Sequence, residues 1–311
     1  MFKGCEQKLI TLGSTADSTR RRKQGELMKM KLALFAAIAV TATGVTAGPA
    51  QANPVTSSGN AVIQSAHKGY DDDPHLQLSP AEEAGEAAKF ASAEALLARP
   101  DPKPGTLPSV CPISDPCGPP PTSYSLGGRQ QPQQTSYWCG PAAVSEALAH
   151  QSVSLSQTNT ATQLKTNTTG TAWSGVYVST SPSTGYAVAD LLNNRLASQG
   201  VKYYSIAVGS PTGTDISNLA TRVRSDIYWG VPLVNDAWET ANSAYHLVGH
   251  PTDRTIYHWF TTYAYSSSGS VITYEDSAKS SYVSWGAGVP AYSSLSATAI
   301  AHIVGGRGYV W

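Results

Sequence analysis

Residues 257–265, YHWFTTYAY, and residues 271–278, VITYEDSA, are two runs rich in aromatic and β-branched residues, separated by SSSGS. A five-residue connection containing one glycine suits antiparallel neighbours, so the pair predicts a hairpin. Helical patterns precede it at 139–150 (CGPAAVSEALAH), at 184–199 (stopped by Gly200) and at 214–229 (stopped by Gly230). A strand, VPLVNDA, is predicted at 231–237, a short helix at about 294–304, and a strand at the closing GYVW. Helices first and an antiparallel sheet last give an α+β order, and nothing in it resembles a βαβ array.

The texture of the chain changes at about residue 122. Beyond it the sequence is aromatic, Ser/Thr-rich and Gly-punctuated, and residues 122–311 are long enough to bury a core of their own. Residues 53–121 are linker-like. Within them the Ala/Glu/Leu-rich piece 81–98 predicts one acidic helix, with Ser79 as N-cap and Pro100 as stop. Such a segment serves either as a propeptide over an active site or as a spacer.

Residues 1–52 carry a basic region, the apolar run LALFAAIAV at 32–40 and an Ala-Gln-Ala step at 50–52. These are the three parts of a secretory signal, with cleavage expected after Ala52 and no membrane anchor retained. The start is Met1, Met28 or Met30. Removal takes eight of 21 Lys+Arg and three of 21 Asp+Glu, leaving 13 against 18, a net charge of 13 − 18 = −5. A mildly acidic chain with 14 % charged residues overall is a poor match for a protein that binds nucleic acid by neutralising phosphates.

Signal removal also takes Cys5, so Cys111, Cys117 and Cys139 remain. Cys111 and Cys117 bracket a short Pro-containing loop, and a local disulfide is their natural use in an oxidising compartment. Cys139 is then the spare thiol. It opens a predicted helix, where unpaired N–H groups and the positive end of the macrodipole favour a thiolate.

A thiolate nucleophile needs a base, and histidine is the usual one. His67 and His75 fall in the linker, His150 ends the helix that Cys139 begins, and His302 lies late in a helix. His246, His250 and His258 remain. His258 heads the first hairpin strand and Asp276 ends the second, so antiparallel pairing can bring the carboxylate to one imidazole nitrogen while the other faces the thiol. His246 and His250 have the H-x-x-x-H spacing of a zinc helix. Gly249 and Pro251 argue against that helix, no glutamate base flanks the first histidine, and both are expected in a loop near the site. For the oxyanion, the backbone N–H of Cys139 is one donor and the amide of Gln133, or of Gln134 if the register shifts, is a second.

With Q-x5-C-G-P opening a helix, His-Trp-Phe starting a strand, Asp276 in a Y-x-D turn and GRGYVW closing the chain, residues 125–311 resemble papain-like cysteine peptidases. Within that group they look most similar to secreted, stand-alone relatives of the bacteriocin-processing peptidases, which otherwise cleave double-glycine leaders in peptide exporters. The resemblance implies a papain-like fold with Cys139 as nucleophile, His258 as general base and acid, Asp276 as orienting residue and Gln133 as oxyanion donor. It implies a peptide or protein substrate; no cofactor or metal is expected, and the chain is expected to be a monomer. The chain carries neither a transmembrane bundle nor a P-loop, which departs from the exporters, so a double-glycine leader is not the expected substrate. A cell-wall peptide amidase or transglutaminase-like acyl transferase would use the same triad, and a secreted binding protein would keep it as a vestige.

Overall fold

The computed structural model describes residues 75–101, 118–180 and 182–311, all within one compact unit. The expected signal at 1–52 and the expected Cys111–Cys117 disulfide lie outside the described residues. Among the described residues the helices are α1 (Pro80–Leu97), α2 (Cys139–His150), α3 (Gln157–Leu164), α4 (Ala187–Leu196), α5 (Gly213–Tyr228) and α6 (Ala297–Ile303). The strands are β1 (Tyr124–Ser125), β2 (Ser205–Ala207), β3 (Leu233–Glu239), β4 (Ile256–Ser266), β5 (Val271–Glu275), β6 (Tyr292–Ser296) and β7 (Gly308–Val310).

The strands form one antiparallel sheet in the order β2-β7-β3-β4-β5-β6, and β1 pairs with β4 beyond the end of β3. The α+β class is therefore the observed one. The predicted hairpin is β4–β5, with a register shift between Thr262 and Ala264.

Each face of the sheet carries its own core. Leu219, Val223 and Ile227 recur every fourth residue along α5, so one stripe of that helix meets Phe260, Tyr274, Tyr309 and Trp311 from the sheet and Ile300 and Ile303 from α6. On the other face, Ala143, Val144 and Leu148 of α2 pack with Leu191 and Leu192 of α4 and with Val234, Trp259 and Val310 of the sheet. Helix α2 is buried over almost its whole length, so its surface is apolar apart from Ser145 and Glu146, which are hydrogen-bonded. Pro141 falls in its first turn, where a missing N–H breaks no intrahelical bond.

The acidic helix α1 packs on the domain. Phe90 and Ala93 enter the first core, Lys89 pairs with Asp226 at 2.8 Å and Arg222 with Glu86 at 2.6 Å. It contacts α5, Lys202 through Glu82 at 2.9 Å, and the closing Trp311 through an edge-on ring contact of Phe90.

Helix α3 and strands β1, β2 and β6 are absent from the predicted pattern, and β6 takes the start of the segment expected as a helix from 294. Strand β3 runs to Glu239, two residues past its predicted end.

Candidate active site

Cys139 is the first residue of α2 and is 7 % exposed. The helix start is held close to a neighbouring turn, since a Cβ on Gly140 would lie 2.3 Å from Thr171 Oγ1. Only glycine permits that approach. The Thr171 carbonyl in turn accepts from the Trp259 indole at 3.0 Å, which ties this turn to β4, the strand that carries His258.

The β4–β5 register explains how His258 meets Asp276. Thr261 pairs with Glu275, so one further step would set Asp276 opposite Phe260. His258, two residues along and on the same face, is then its diagonal neighbour. The observed contact is His258 Nε2 to Asp276 Oδ1 at 2.9 Å. The Cys139 thiol lies close enough to the His258 side chain for each to shift the other's protonation.

Electrostatics follow from this chain of contacts. Burial pushes the Cys139 thiol up, but the hydrogen bond and charge of His258, with the backbone N–H groups of Trp259 and Gly140, bring it below its ordinary value. Burial lowers His258, and the Asp276 carboxylate and the Cys139 sulfur outweigh it and raise the imidazole well above its usual range. Burial raises Asp276, while His258 and His250 hold its carboxyl well below the usual range. Each of these shifts favours the charged form beside a neighbour of opposite sign.

Gln133 is 2 % exposed, whereas Gln134 faces solvent. The Gln133 backbone N–H donates to Ser277 O at 2.9 Å, its Nε2 donates to Thr135 O at 2.8 Å, and Ser280 Oγ donates to its carbonyl at 2.6 Å. Gln133 is thus pinned to the loop that follows Asp276, with one amide hydrogen beyond the Thr135 bond.

Residues 128–300 match the Peptidase_C39 like family, more than half of the chain. The chain belongs to this family. It is thereby a member of a group of papain-like cysteine peptidases. The family match spans Gln133, Cys139, His258 and Asp276, and ends within α6, before β7. No curated protein matches the chain.

Other residues around the site were not legible as functional from the sequence. His250 lies in the loop between β3 and β4, as expected, but its Nε2 bonds to Asp276 Oδ2 at 3.0 Å and its Nδ1 to Glu239. Glu239 also takes His246 Nδ1, at 3.1 Å. His246 and His250 therefore share a carboxylate, and the H-x-x-x-H segment is not helical. His250, His258 and Asp276 each offer one potential metal ligand within 4.8 Å of the others. A cation there would have to replace the two hydrogen bonds that join them, and the family's thiol chemistry calls for none.

A second buried polar group fastens α2 to the sheet. Glu146 Oε1 accepts from Gln131 N at 2.8 Å, and Glu146 Oε2 lies 3.0 Å from Thr261 Oγ1. Glu275, next to Asp276, takes His150 Nε2 at 2.9 Å and Arg129 N at 2.6 Å. Burial and the neighbouring Glu275 raise Glu146 well above the usual carboxyl range. The signal that could have exposed these residues is a glutamate inside an otherwise apolar helix, CGPAAVSEALAH.

Proposed function

We propose that the chain is an exported cysteine peptidase that hydrolyses peptide bonds through an acyl-enzyme on Cys139. The observation that carries this reading is a thiol at a helix start, its pKa lowered by a neighbouring histidine whose Nε2 rests on a buried aspartate. The Cys139 thiolate attacks the scissile carbonyl, forming the C–S bond and placing negative charge on the carbonyl oxygen. The Cys139 N–H and the Gln133 amide stabilise that oxyanion. The His258 imidazolium then donates its proton to the leaving amine as the C–N bond breaks. Neutral His258 next takes a proton from water, whose oxygen attacks the thioester. Collapse of the second intermediate expels the Cys139 sulfur and restores the ion pair. Asp276 stays ionised throughout and orients the imidazole.

Export rests on the basic, apolar and Ala-x-Ala succession of residues 1–52, and an oxidising destination gives Cys111 and Cys117 their role as a disulfide. The test is hydrolysis of a casein-type protein substrate by the exported full chain. Activity should vanish in Cys139→Ala, fall about 10²-fold in Gln133→Ala and persist in Gln134→Ala. Retention of activity by Cys139→Ala would refute the mechanism. Release of peptidoglycan peptides without proteolysis would move the substrate to the cell wall.

A further inference from the structure

The peptidase reading accounts for one oxygen of Asp276. Its Oδ1 accepts from His258 Nε2 at 2.9 Å and from the Ala278 N–H at 2.8 Å. Its Oδ2 accepts from His250 Nε2 at 3.0 Å, and no step of that mechanism uses the contact.

His250 is held on both sides. Its Nδ1 lies 3.0 and 3.1 Å from the two oxygens of Glu239. An ionised carboxylate only accepts, so a histidine bonded to carboxylates through both ring nitrogens donates from both and is an imidazolium. Glu239 is itself fixed by the His246 Nδ1 and by the Leu247 N–H at 3.2 Å. Behind the thiolate the charges alternate: His258 positive, Asp276 negative, His250 positive, Glu239 negative. The side chains of His250, Glu239 and Asp276 are at most 1 % exposed, so the attractions between neighbours are poorly screened.

The surroundings are built to keep it so. The Trp285 and His258 rings both stand edge-on to His250, with centroids 4.5 and 5.1 Å from it. The groups that face His250 are Glu239 from β3, His258 from β4, Asp276 after β5 and Trp285 from the loop beyond. Tyr274 stands nearby with its hydroxyl accepting from Val248 N at 2.9 Å, and burial and the two carboxylates keep it protonated.

We infer that His250 and Glu239 are positioning residues for the reaction: His250, held as a cation by Glu239, fixes the second oxygen of Asp276 so that the first is aimed at His258. The inference rests on the Cys139 peptidase reading and extends it by two residues. Asp276 follows the last residue of β5, and with one oxygen bonded its carboxylate could turn about its side-chain torsions. Bonds to both oxygens remove that freedom. The cation also opposes protonation of Asp276, which keeps His258 charged and the thiolate paired.

The test measures Cys139 alkylation by iodoacetamide in the full chain, from about pH 4 to about pH 9. His250→Phe keeps the ring and removes both donors. Asp276 then takes up its proton at higher pH, His258 loses its anion, and the thiolate loses its imidazolium. The acid limb of the alkylation profile should move up by about one pH unit, and the plateau rate fall about tenfold. Glu239→Gln, which is isosteric, removes the anion that keeps His250 charged and should move the limb the same way by less. Should His250→Phe fail to fold, Glu239→Gln carries the test. Folded variants with the acid limb unmoved overturn the inference. So does a rate that falls only in step with the unfolded fraction measured by circular dichroism, which marks a packing role. A wild-type chain whose Cys139 resists alkylation at acid pH defeats the peptidase reading itself, and the inference with it.

Discussion

At Gly249 the backbone turns at φ +83°, a conformation that a side chain disfavours, and a Cβ there would sit 2.5 Å from Gly288 O. The residue lets the β3–β4 loop close on the segment that bears Trp285 and deliver His250 to Asp276. Gly249→Ala should cost about 1–3 kcal/mol in thermal or denaturant unfolding, with a loss of proteolysis larger than the unfolded fraction explains. Unchanged stability would mean that the loop relaxes at little cost. Residue identities were readable where one chemical argument sufficed. Cys139 followed from counting thiols and from the helix it opens, and His258 with Asp276 followed from the hairpin that joins them. His250 was expected in a loop near the site, but its bond to Asp276 and the part of Glu239 were not readable, because a loop of 16 residues separates β3 from β4 and its path is set by tertiary contacts.

Among the elements, the seam between α2 and the sheet sets the distance from thiol to imidazole. Thr261 Oγ1 lies 3.1 Å from Ala143 O and 3.0 Å from Glu146 Oε2, yet a hydroxyl has a single proton. Both contacts are satisfied if a protonated Glu146 donates to Thr261 and Thr261 donates to Ala143. That agrees with the raised Glu146 carboxyl. Glu146→Gln supplies the same donor and acceptor without a charge, and should leave stability within about 1 kcal/mol of the parent. Glu146→Ala strands the Gln131 N–H and should cost about 1–3 kcal/mol in denaturant unfolding. A loss in the Gln variant as large as in the Ala variant would show that the anion matters. Helix α2 was legible to its ends because Gly-Pro and an alanine-rich run speak for helix by themselves. Helix α3, QTNTATQL, was not: it has two apolar residues, and its buried Gln157 and Thr160 are hydrogen-bonded instead, Gln157 holding Gln134 N and Pro132 O. Strand β6 was hidden by serine, since as a sheet edge it has little apolar surface to bury.

For the whole molecule, α1 packs against α5 and the closing Trp311. The N-terminal arm reaches both cores, with Leu76 and Leu78 on one and Phe90 and Ala93 on the other. The charge chain behind the thiol also ties stability to pH. Asp276, depressed by His258 and His250, contributes stability that is present above about pH 4 and lost as pH falls through its folded value. His258 and His250, raised by their carboxylates, contribute stability that is complete below about pH 6.5 and lost as pH rises through their folded values. The thermal midpoint should be highest between those limits, and its alkaline decline should be shallower in a His250→Phe chain. An alkaline decline equally steep in that variant would assign it to other groups.

The central claim is that Cys139 is a thiolate paired with the His258 imidazolium, and its alkylation rate against pH tests this most directly. An ion pair gives a rate that is already high near pH 6, stays level, and changes only when His258 loses its proton. A rate that is low near pH 6 and climbs through about pH 8.5, as an ordinary thiol does, would contradict it.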